Sequence, residues 1–159
     1  MRVIVMSDSH GSYRAVEKIV TAQHNADIFI HLGDGEAECS KLRSNYPDKT
    51  FYCLKGNCDC NSTLPQQLII PVGSNHKIFA SHGHNFNVKY SISMLLSMAK
   101  ENSCDIILFG HTHFRYSGYE DGIYIINPGS CIIPRDENPP SYAFIDVTDK
   151  GIFTNTVSI

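Results

Sequence analysis

The chain has 159 residues, of which 42% are hydrophobic and 18% are charged, as is ordinary for a globular protein. This length is enough for one compact domain with a sizeable core, so we expect a single domain over residues 1–159. The formal net charge of −3 provides no positive surface for non-specific nucleic-acid binding, and no stable nucleic-acid partner is expected.

The N-terminal apolar run is too short for a secretion signal, because Asp8 interrupts it. No apolar segment approaches the length that a membrane-spanning helix needs. We therefore expect a cytoplasmic protein without membrane association.

Short apolar runs alternate with helical patterns in the first third of the chain. The runs at 3–6, 28–32 and 50–54 predict buried strands, and the segments 11–24 and 36–45 predict helices. Such a β-α-β alternation predicts parallel strands joined by right-handed crossovers.

The remainder of the chain is richer in strands. Two strands at 68–72 and 77–80 flank a hairpin-like turn at 73–75, and a proline-rich segment at 134–140 predicts an exposed loop. Further elements are predicted as a helix around 92–99 and strands at 105–109, 116–119, 123–126, 142–147 and 152–157. Together these elements predict an α/β fold of two mixed sheets packed face to face, with helices outside.

Polar side chains with metal-binding chemistry follow five of the predicted strands. They are Asp8, His10, Asp34, Asn57, His82, His111 and His113. In α/β sheets, ligands bind beyond the carboxyl ends of the strands, so these side chains are expected to meet. Oxygen and imidazole ligands without thiolate suit Mn, Fe, Zn or Ni. The pattern therefore predicts a binuclear metal centre, with Asp34, isolated between glycines, as a suitable bridging carboxylate.

Other histidines and cysteines leave alternatives open. His84 is equally compatible with supporting a ligand, contacting substrate or occupying a plain loop position. Cys53, Cys58 and Cys60 are close enough in sequence for a thiol-based redox or zinc site, although no second Cys-x-x-Cys pair accompanies them.

The order Asp-x-His, Gly-Asp, Gly-Asn, His and Gly-His-x-His resembles the signature of the calcineurin-like metallophosphoesterases. The segments 56–59, 81–84, 110–113 and 127–130 are most similar to the small YfcE-type branch of bacterial and archaeal phosphodiesterases. The resemblance covers nearly the whole chain. It implies a four-layer α/β/β/α sandwich.

The resemblance also implies a role for each candidate ligand. Asp8, His10 and His113 would hold one metal ion, Asn57, His82 and His111 would hold the second, and Asp34 would bridge the two. The implied cofactors are two divalent ions, most often Mn²⁺, with Fe, Zn, Ni or Co as alternatives. Members of the family often form homo-dimers or homo-tetramers.

The implied activity is hydrolysis of a small phosphodiester by a hydroxide that bridges the two ions. Asp34, Asn57 and His84 would be the catalytic residues. Many larger relatives carry a histidine directly after Gly-Asn as the general acid, whereas this chain has Cys58. Either His84 replaces that histidine, or the enzyme favours leaving groups that need little protonation.

Two alternatives use the same fold. A phosphomonoesterase would need the same metal pair. A non-catalytic scaffold resembling a retromer subunit would have lost several ligand histidines, whereas His10, His82, His111 and His113 are all present here.

Overall fold

The computed structural model describes residues 1–159 and contains ten strands and three α-helices. The strands are β1 (Arg2–Met6), β2 (Ile28–His31), β3 (Thr50–Cys53), β4 (Gln67–Val72), β5 (His76–Ser81), β6 (Ile106–Leu108), β7 (Arg115–Glu120), β8 (Ile123–Pro128), β9 (Ser141–Thr148) and β10 (Gly151–Ser158). The helices are α1 (Tyr13–Ala22), α2 (Glu36–Asn45) and α3 (Ser93–Glu101). None of them is long and apolar enough to cross a membrane.

The first sheet has the order β10-β9-β1-β2-β3. β1, β2 and β3 run parallel, with Val3 opposite Ile28 and Ile28 opposite Thr50. β9 and β10 complete the sheet as an antiparallel pair, and β9 also runs antiparallel to β1. The predicted β-α-β alternation is confirmed in this half, and it brings the carboxyl ends of three neighbouring strands to one edge.

The second sheet has the order β4-β5-β6-β8-β7. Its three central strands, β5, β6 and β8, are parallel, whereas the edge strands β4 and β7 are antiparallel to their neighbours. Both sheets are therefore mixed, as predicted.

The core lies mainly between the two sheets. Alternate residues of β1 serve different layers: Val3 and Val5 join a cluster of 16 buried residues drawn from both sheets. Ile4 and Met6 point the other way and pack with the buried face of α1. On the far side, α3 packs Leu95 and its neighbours against the second sheet. This period-two alternation produces the predicted four-layer α/β/β/α sandwich.

Helix α1 is shorter than the 11–24 segment predicted for it. Gly11 has a φ of +88°, outside the helical region, and the helix begins only at Tyr13. At the other end the chain leaves the helix after Ala22. Residues before Tyr13 therefore belong to the loop that leaves β1, which carries two of the candidate ligands.

Candidate metal centre

The loops after β1, β2, β3, β5 and β6 converge at one end of the sandwich. Asp8, His10, Asp34 and Asn57 follow strands of the first sheet, whereas His82, His111 and His113 follow strands of the second. Backbone hydrogen bonds fasten these loops together: the Asp8 N–H donates to the Gly33 carbonyl at 3.0 Å, and the Gly110 N–H donates to the His82 carbonyl at 3.1 Å. The site therefore spans both sheets.

Potential ligand atoms form three overlapping clusters, each with its atoms within 4.8 Å of one another. The clusters are Asp8 with His10 and His113, Asp8 with Asp34 and His82, and His10 with Asp34 and Cys58. Five of the seven predicted ligands are thus in direct proximity, and Asp34 is shared between two clusters.

Asn57 and His111 lie at the margin of these clusters. The Asn57 Oδ1 is 3.2 Å from His82 Nε2, so the amide oxygen faces the same space. The His111 ring centroid is 5.2 Å from that of His82. Burial, followed by the neighbouring His82, lowers the pKa of His111 to about 4, which keeps its imidazole neutral and able to bind a cation.

Backbone carbonyls orient two of the histidine rings. His82 Nδ1 lies 3.1 Å from the Leu32 carbonyl and His113 Nδ1 lies 2.7 Å from the Ile133 carbonyl. Because a carbonyl only accepts, each Nδ1 carries a proton, and Nε2 is the ring nitrogen that faces the site. His82 Nε2 then faces the Asn57 and Asp34 oxygens at 3.2 and 3.5 Å. A nitrogen and an oxygen at these distances need a proton or a metal ion between them, so this set of atoms fits metal ions.

Asp8 supports the same interpretation. Its side chain is fully buried, and Oδ1 has no hydrogen-bond partner of good geometry although His113 Nε2 is only 3.1 Å away. Burial acts to raise the pKa of Asp8, but the contacts with His113 and His82 outweigh it and the pKa is lowered. The carboxylate is therefore ionised, and an unpaired buried anionic oxygen at this position suits a metal ligand.

Asp34 is held by several groups at once. Its Oδ1 accepts a hydrogen bond from the Cys58 N–H at 2.7 Å, while Oδ2 lies 3.9 Å from His10 Nε2 and 3.5 Å from His82 Nε2. Burial again acts to raise the pKa, but the interactions with His82 and the Cys58 N–H lower it overall. Gly56 permits this approach, since a Cβ there would clash with Asp34 Oδ1.

Five of the seven candidate ligands have a left-handed backbone: Asp8, His10, Asp34, His111 and His113, with φ between 42° and 67°. Non-glycine residues rarely adopt this conformation, and each instance costs of the order of 1 kcal/mol. Such outliers concentrate at functional sites, where surrounding contacts hold them in place.

A buried polar chain lies directly behind the β1 loop. The Gly33 N–H donates to His31 Nδ1, so the neutral ring carries its proton on Nε2, 2.9 Å from Ser9 Oγ. Ser9 in turn donates to Glu38 Oε1 at 2.7 Å, and Glu38 also accepts from the Gly11 N–H. Burial lowers the pKa of His31, consistent with a neutral ring. Sequence reasoning gave no role to Ser9 or Glu38, and the only available signal was a glutamate on the buried side of α2.

Asp59 fastens two ligand loops to each other. Its carboxylate accepts hydrogen bonds from the N–H groups of Asp34, Gly35, Glu36 and Gly56, at 2.8 to 3.1 Å. Two of these donors belong to the beginning of α2, so Asp59 caps that helix from a distant loop.

The 127–130 segment supports the third side of the site. Asn127 Nδ2 donates to the Gly110 carbonyl, and Ser130 Oγ donates to the Asp8 carbonyl at 2.8 Å. The Ser130 hydroxyl also accepts from the N–H groups of Ile132 and Ile133. This segment therefore ties a histidine loop of the second sheet to the β1 loop of the first.

Neither Cys58 nor His84, the two residues considered for proton transfer, has the properties of an effective general acid. Partial burial and then the Asp34 carboxylate raise the pKa of Cys58 to about 11, which leaves a neutral thiol. The His84 ring lies beside that of His82, with their centroids 5.4 Å apart and their planes tilted by 58°, and burial lowers the pKa of His84. Cys53 is buried while Cys58 and Cys60 are exposed, so the three thiols face different environments.

The ligands open into a small cavity of about 230 Å³. Besides five of the predicted ligands, it is lined by Cys58, Ile133 and two exposed cations, Lys89 and Arg135. Two cations beside a metal site suit an anionic substrate.

Comparisons with known proteins agree with this geometry. Residues 1–150 match the family described as the calcineurin-like phosphoesterase superfamily domain. The chain is 36% identical over 154 residues to the probable metallophosphoesterase YsnB of Bacillus subtilis, covering 95% of this chain and 87% of that protein. It is 29% identical over 170 residues to the phosphodiesterase YfcE of Escherichia coli, covering 92% and 88%.

A solved structure gives the same result. A conserved uncharacterized protein of Streptococcus pneumoniae, described as a predicted phosphoesterase, superimposes with a TM-score of 0.84 at 32% identity, covering 99% of this chain and 88% of that chain. Fold, donor set and sequence agree with the metallophosphoesterase and phosphodiesterase relatives named above, and the chain belongs to the calcineurin-like phosphoesterase superfamily.

Proposed function

We propose that this protein is a binuclear metal-dependent phosphodiesterase. The observation that carries the proposal is the shared position of Asp34 Oδ2, 3.9 Å from His10 Nε2 and 3.5 Å from His82 Nε2. Asp8, His10 and His113 would hold one divalent ion, Asn57, His82 and His111 would hold the other, and Asp34 would bridge them. We further propose that residues 1–159 act as one domain, because the central core mixes residues from both halves of the chain.

Two divalent ions, when bound, would supply Lewis-acid polarisation of the phosphoryl group and activation of the attacking water. The residues of this chain do the positioning. The Cys58 N–H fixes the Asp34 carboxylate, and Asp59 holds the Asp34 backbone N–H. The Ile133 and Leu32 carbonyls fix the orientation of His113 and His82. Lys89 and Arg135 line the cavity where the non-bridging phosphoryl oxygens would lie.

The surroundings of the site favour diesters with good leaving groups. The Cys58 thiol, with its pKa raised to about 11, is a weak acid. His84 does not line the small cavity, so its role as proton donor would require movement of substrate or side chain. An enzyme without a strong acid depends on a leaving group that departs as a stable anion.

The decisive experiment is hydrolysis of bis-p-nitrophenyl phosphate by metal-stripped protein titrated with Mn²⁺, and then with Fe, Zn, Ni and Co salts. Activity should return with metal, and Asp34→Asn should lower kcat/KM by about 100-fold or more, because the bridging charge is lost. Asp48→Asn changes an exposed carboxylate and is the matched control.

p-Nitrophenyl phosphate measured in parallel separates the diesterase from a monoesterase. Faster turnover of the monoester would replace the diesterase proposal with a phosphomonoesterase. Absence of turnover of either ester with all five metals would refute an enzymatic role and leave the scaffold alternative.

A further inference from the structure

A second, larger cleft opens directly beside the metal cavity. Its volume is about 650 Å³, within the range of small-molecule binding sites. Lys89 and Arg135 line both the cleft and the metal cavity, so the two spaces share one wall. A molecule whose phosphate sits between these cations and the ligands would extend one ester arm into the cleft.

The rim of the cleft is unusually aromatic for an exposed surface. Tyr90 is 91% exposed, Phe114 is 50% exposed and Tyr116 is 42% exposed, while Val88 and Phe109 form a buried apolar floor. Exposed flat rings grouped around a concave surface are stacking positions for another flat ring. Tyr90 contributes little to the core, since almost its whole surface is in solvent.

The polar lining of the cleft is cationic and hydroxylic. Lys89, Arg115 and Arg135 line it without any carboxylate among the lining residues, and Ser91 and Thr112 add hydroxyl groups. Arg115 pairs with Asp136 through Nε at 3.0 Å, but its buried Nη2 has no hydrogen-bond partner. A long aliphatic chain cannot form hydrogen bonds with these groups, whereas the base and sugar of a nucleoside offer matching acceptors and donors.

We propose that this cleft binds the nucleoside arm of a nucleotide phosphodiester, with the base stacked on Tyr90 and Phe114 and the phosphate at the junction formed by Lys89 and Arg135. The inference rests on the proposed phosphodiesterase function and names its substrate class. Tyr90 and Phe114 would then determine the specificity for esters that carry a nucleoside.

Two esters with one leaving group test the proposal. Thymidine 5′-(p-nitrophenyl phosphate) and methyl p-nitrophenyl phosphate both release p-nitrophenolate, and they differ in the retained arm. The Mn²⁺-loaded protein should hydrolyse the thymidine ester with a kcat/KM about tenfold higher or more, because one stacked base contributes at least that factor. Equal values for the two esters would overturn the proposal.

Variants of exposed aromatic residues test whether the preference for the thymidine ester arises in the cleft. Tyr90→Ala and Phe114→Ala should each reduce the ratio of the two kcat/KM values by about tenfold. Tyr119→Ala and Phe153→Ala remove aromatic rings that are 65% and 55% exposed and lie outside the cleft, and they should leave the ratio unchanged. A ratio that survives both cleft variants would place the nucleoside elsewhere.

Calorimetric binding of thymidine 5′-monophosphate and methyl phosphate to the Mn²⁺-loaded protein distinguishes this inference from the proposed function. Tighter binding of the nucleotide that is lost in Tyr90→Ala would support the cleft even if neither ester were hydrolysed, in which case the phosphodiesterase proposal fails alone. Hydrolysis of both esters with equal binding of the two phosphates would mean that the cleft proposal fails alone.

Discussion

Asp34 shows how many requirements a single residue meets in this protein. Its backbone is left-handed, its side chain is buried, and its two carboxylate oxygens face different groups. Conformations of this kind persist only where several contacts hold them. Here the Asp59 carboxylate accepts from the Asp34 N–H and the Cys58 N–H donates to the Asp34 carboxylate, and these contacts hold the strained ligand in place.

Glu38 offers a test of such support. Glu38→Ala would leave the Ser9 hydroxyl and the Gly11 N–H without their buried acceptor. We expect the free energy of unfolding to fall by about 1–3 kcal/mol and Mn²⁺ affinity to fall by about 10- to 100-fold, because the β1 loop loses its anchor. Urea unfolding and calorimetric metal titration measure the two effects.

Glu38→Gln is the informative companion, since its amide oxygen can still accept both hydrogen bonds. It should recover most of the lost metal affinity, and Glu101→Gln, on an exposed position of α3, should match the wild type. If Glu38→Gln is as damaging as Glu38→Ala, the charge of Glu38 and not its hydrogen bonding supports the loop.

The difference between Asp34 and Glu38 explains what sequence can reveal at this scale. Asp34 lies at the end of an apolar run and between two glycines, so its position along the chain already indicates a functional loop. Glu38 looks like an ordinary helical glutamate. Its role depends on contacts with Ser9 and Gly11, 29 and 27 residues away, which no local pattern encodes.

Helix α2 begins without a cap of its own. Its N-cap residue is Gly35, which has no side chain to accept a hydrogen bond, and Asp59 takes that part from the loop after β3. The beginning of the helix is therefore joined to the Gly56-Asn57 ligand loop. The local sequence around α2 does not indicate this cap, because the capping carboxylate lies 23 and 24 residues further along the chain than the N–H groups that donate to it.

Asp59→Ala should remove the carboxylate that caps the beginning of α2. We expect a loss of about 1–2 kcal/mol in unfolding free energy, since backbone donors at the beginning of α2 lose their acceptor. The same change should weaken metal binding, because Asp34 and Gly56 also donate to this carboxylate. Differential scanning calorimetry with and without Mn²⁺ measures both effects. Asp48→Ala, at an exposed position, is the control, and equal stability of the two variants would disprove the capping role.

At the scale of the whole molecule, the N-terminal strand lies in the middle of the first sheet. Arg2 on β1 faces Asp146 on β9, and its guanidinium donates two hydrogen bonds to that carboxylate, at 2.6 and 2.7 Å. The hydrogen bonds from Arg2 lower the pKa of Asp146. A contact between residues 144 positions apart thus joins the two ends of the chain.

This pair predicts a defined pH dependence. Because the pKa of Asp146 is lower in the folded protein than in the unfolded chain, its stabilisation is present above roughly pH 4 and is lost as the pH falls through the folded value. Asp146→Asn should therefore be less stable than the wild type at pH 7 by up to about 1 kcal/mol, a small value because both side chains are partly exposed.

The stability difference between Asp146→Asn and the wild type should narrow as the pH is lowered below about 4. Urea unfolding at a series of pH values measures it, and Asp48→Asn is the exposed control. A difference that is constant with pH would show that Asp146 acts through packing instead of charge.

The fold as a whole was largely predictable, because β1 is a short continuous buried run and the buried residues of α1 recur with the period of a helix. The cleft beside the metal cavity was not. Its walls come from the segment 88–92, from Phe109 and Thr112, from the segment 114–116 and from Arg135, and only their packing creates a concave surface. Nothing in the local sequence around Tyr90 or Arg135 indicates that both residues line one cleft.

The division of the ligands between the two sheets has a consequence for how long the folded protein survives. Four candidate ligands follow strands of the first sheet and three follow strands of the second. Bound ions would therefore cross-link the two sheets and stabilise their packing. Each tenfold rise in free metal above the dissociation constant would add about 1.4 kcal/mol per site to the folded state. The amount of intact protein would then follow the supply of divalent metal, and starvation for metal would remove the protein itself as well as its activity.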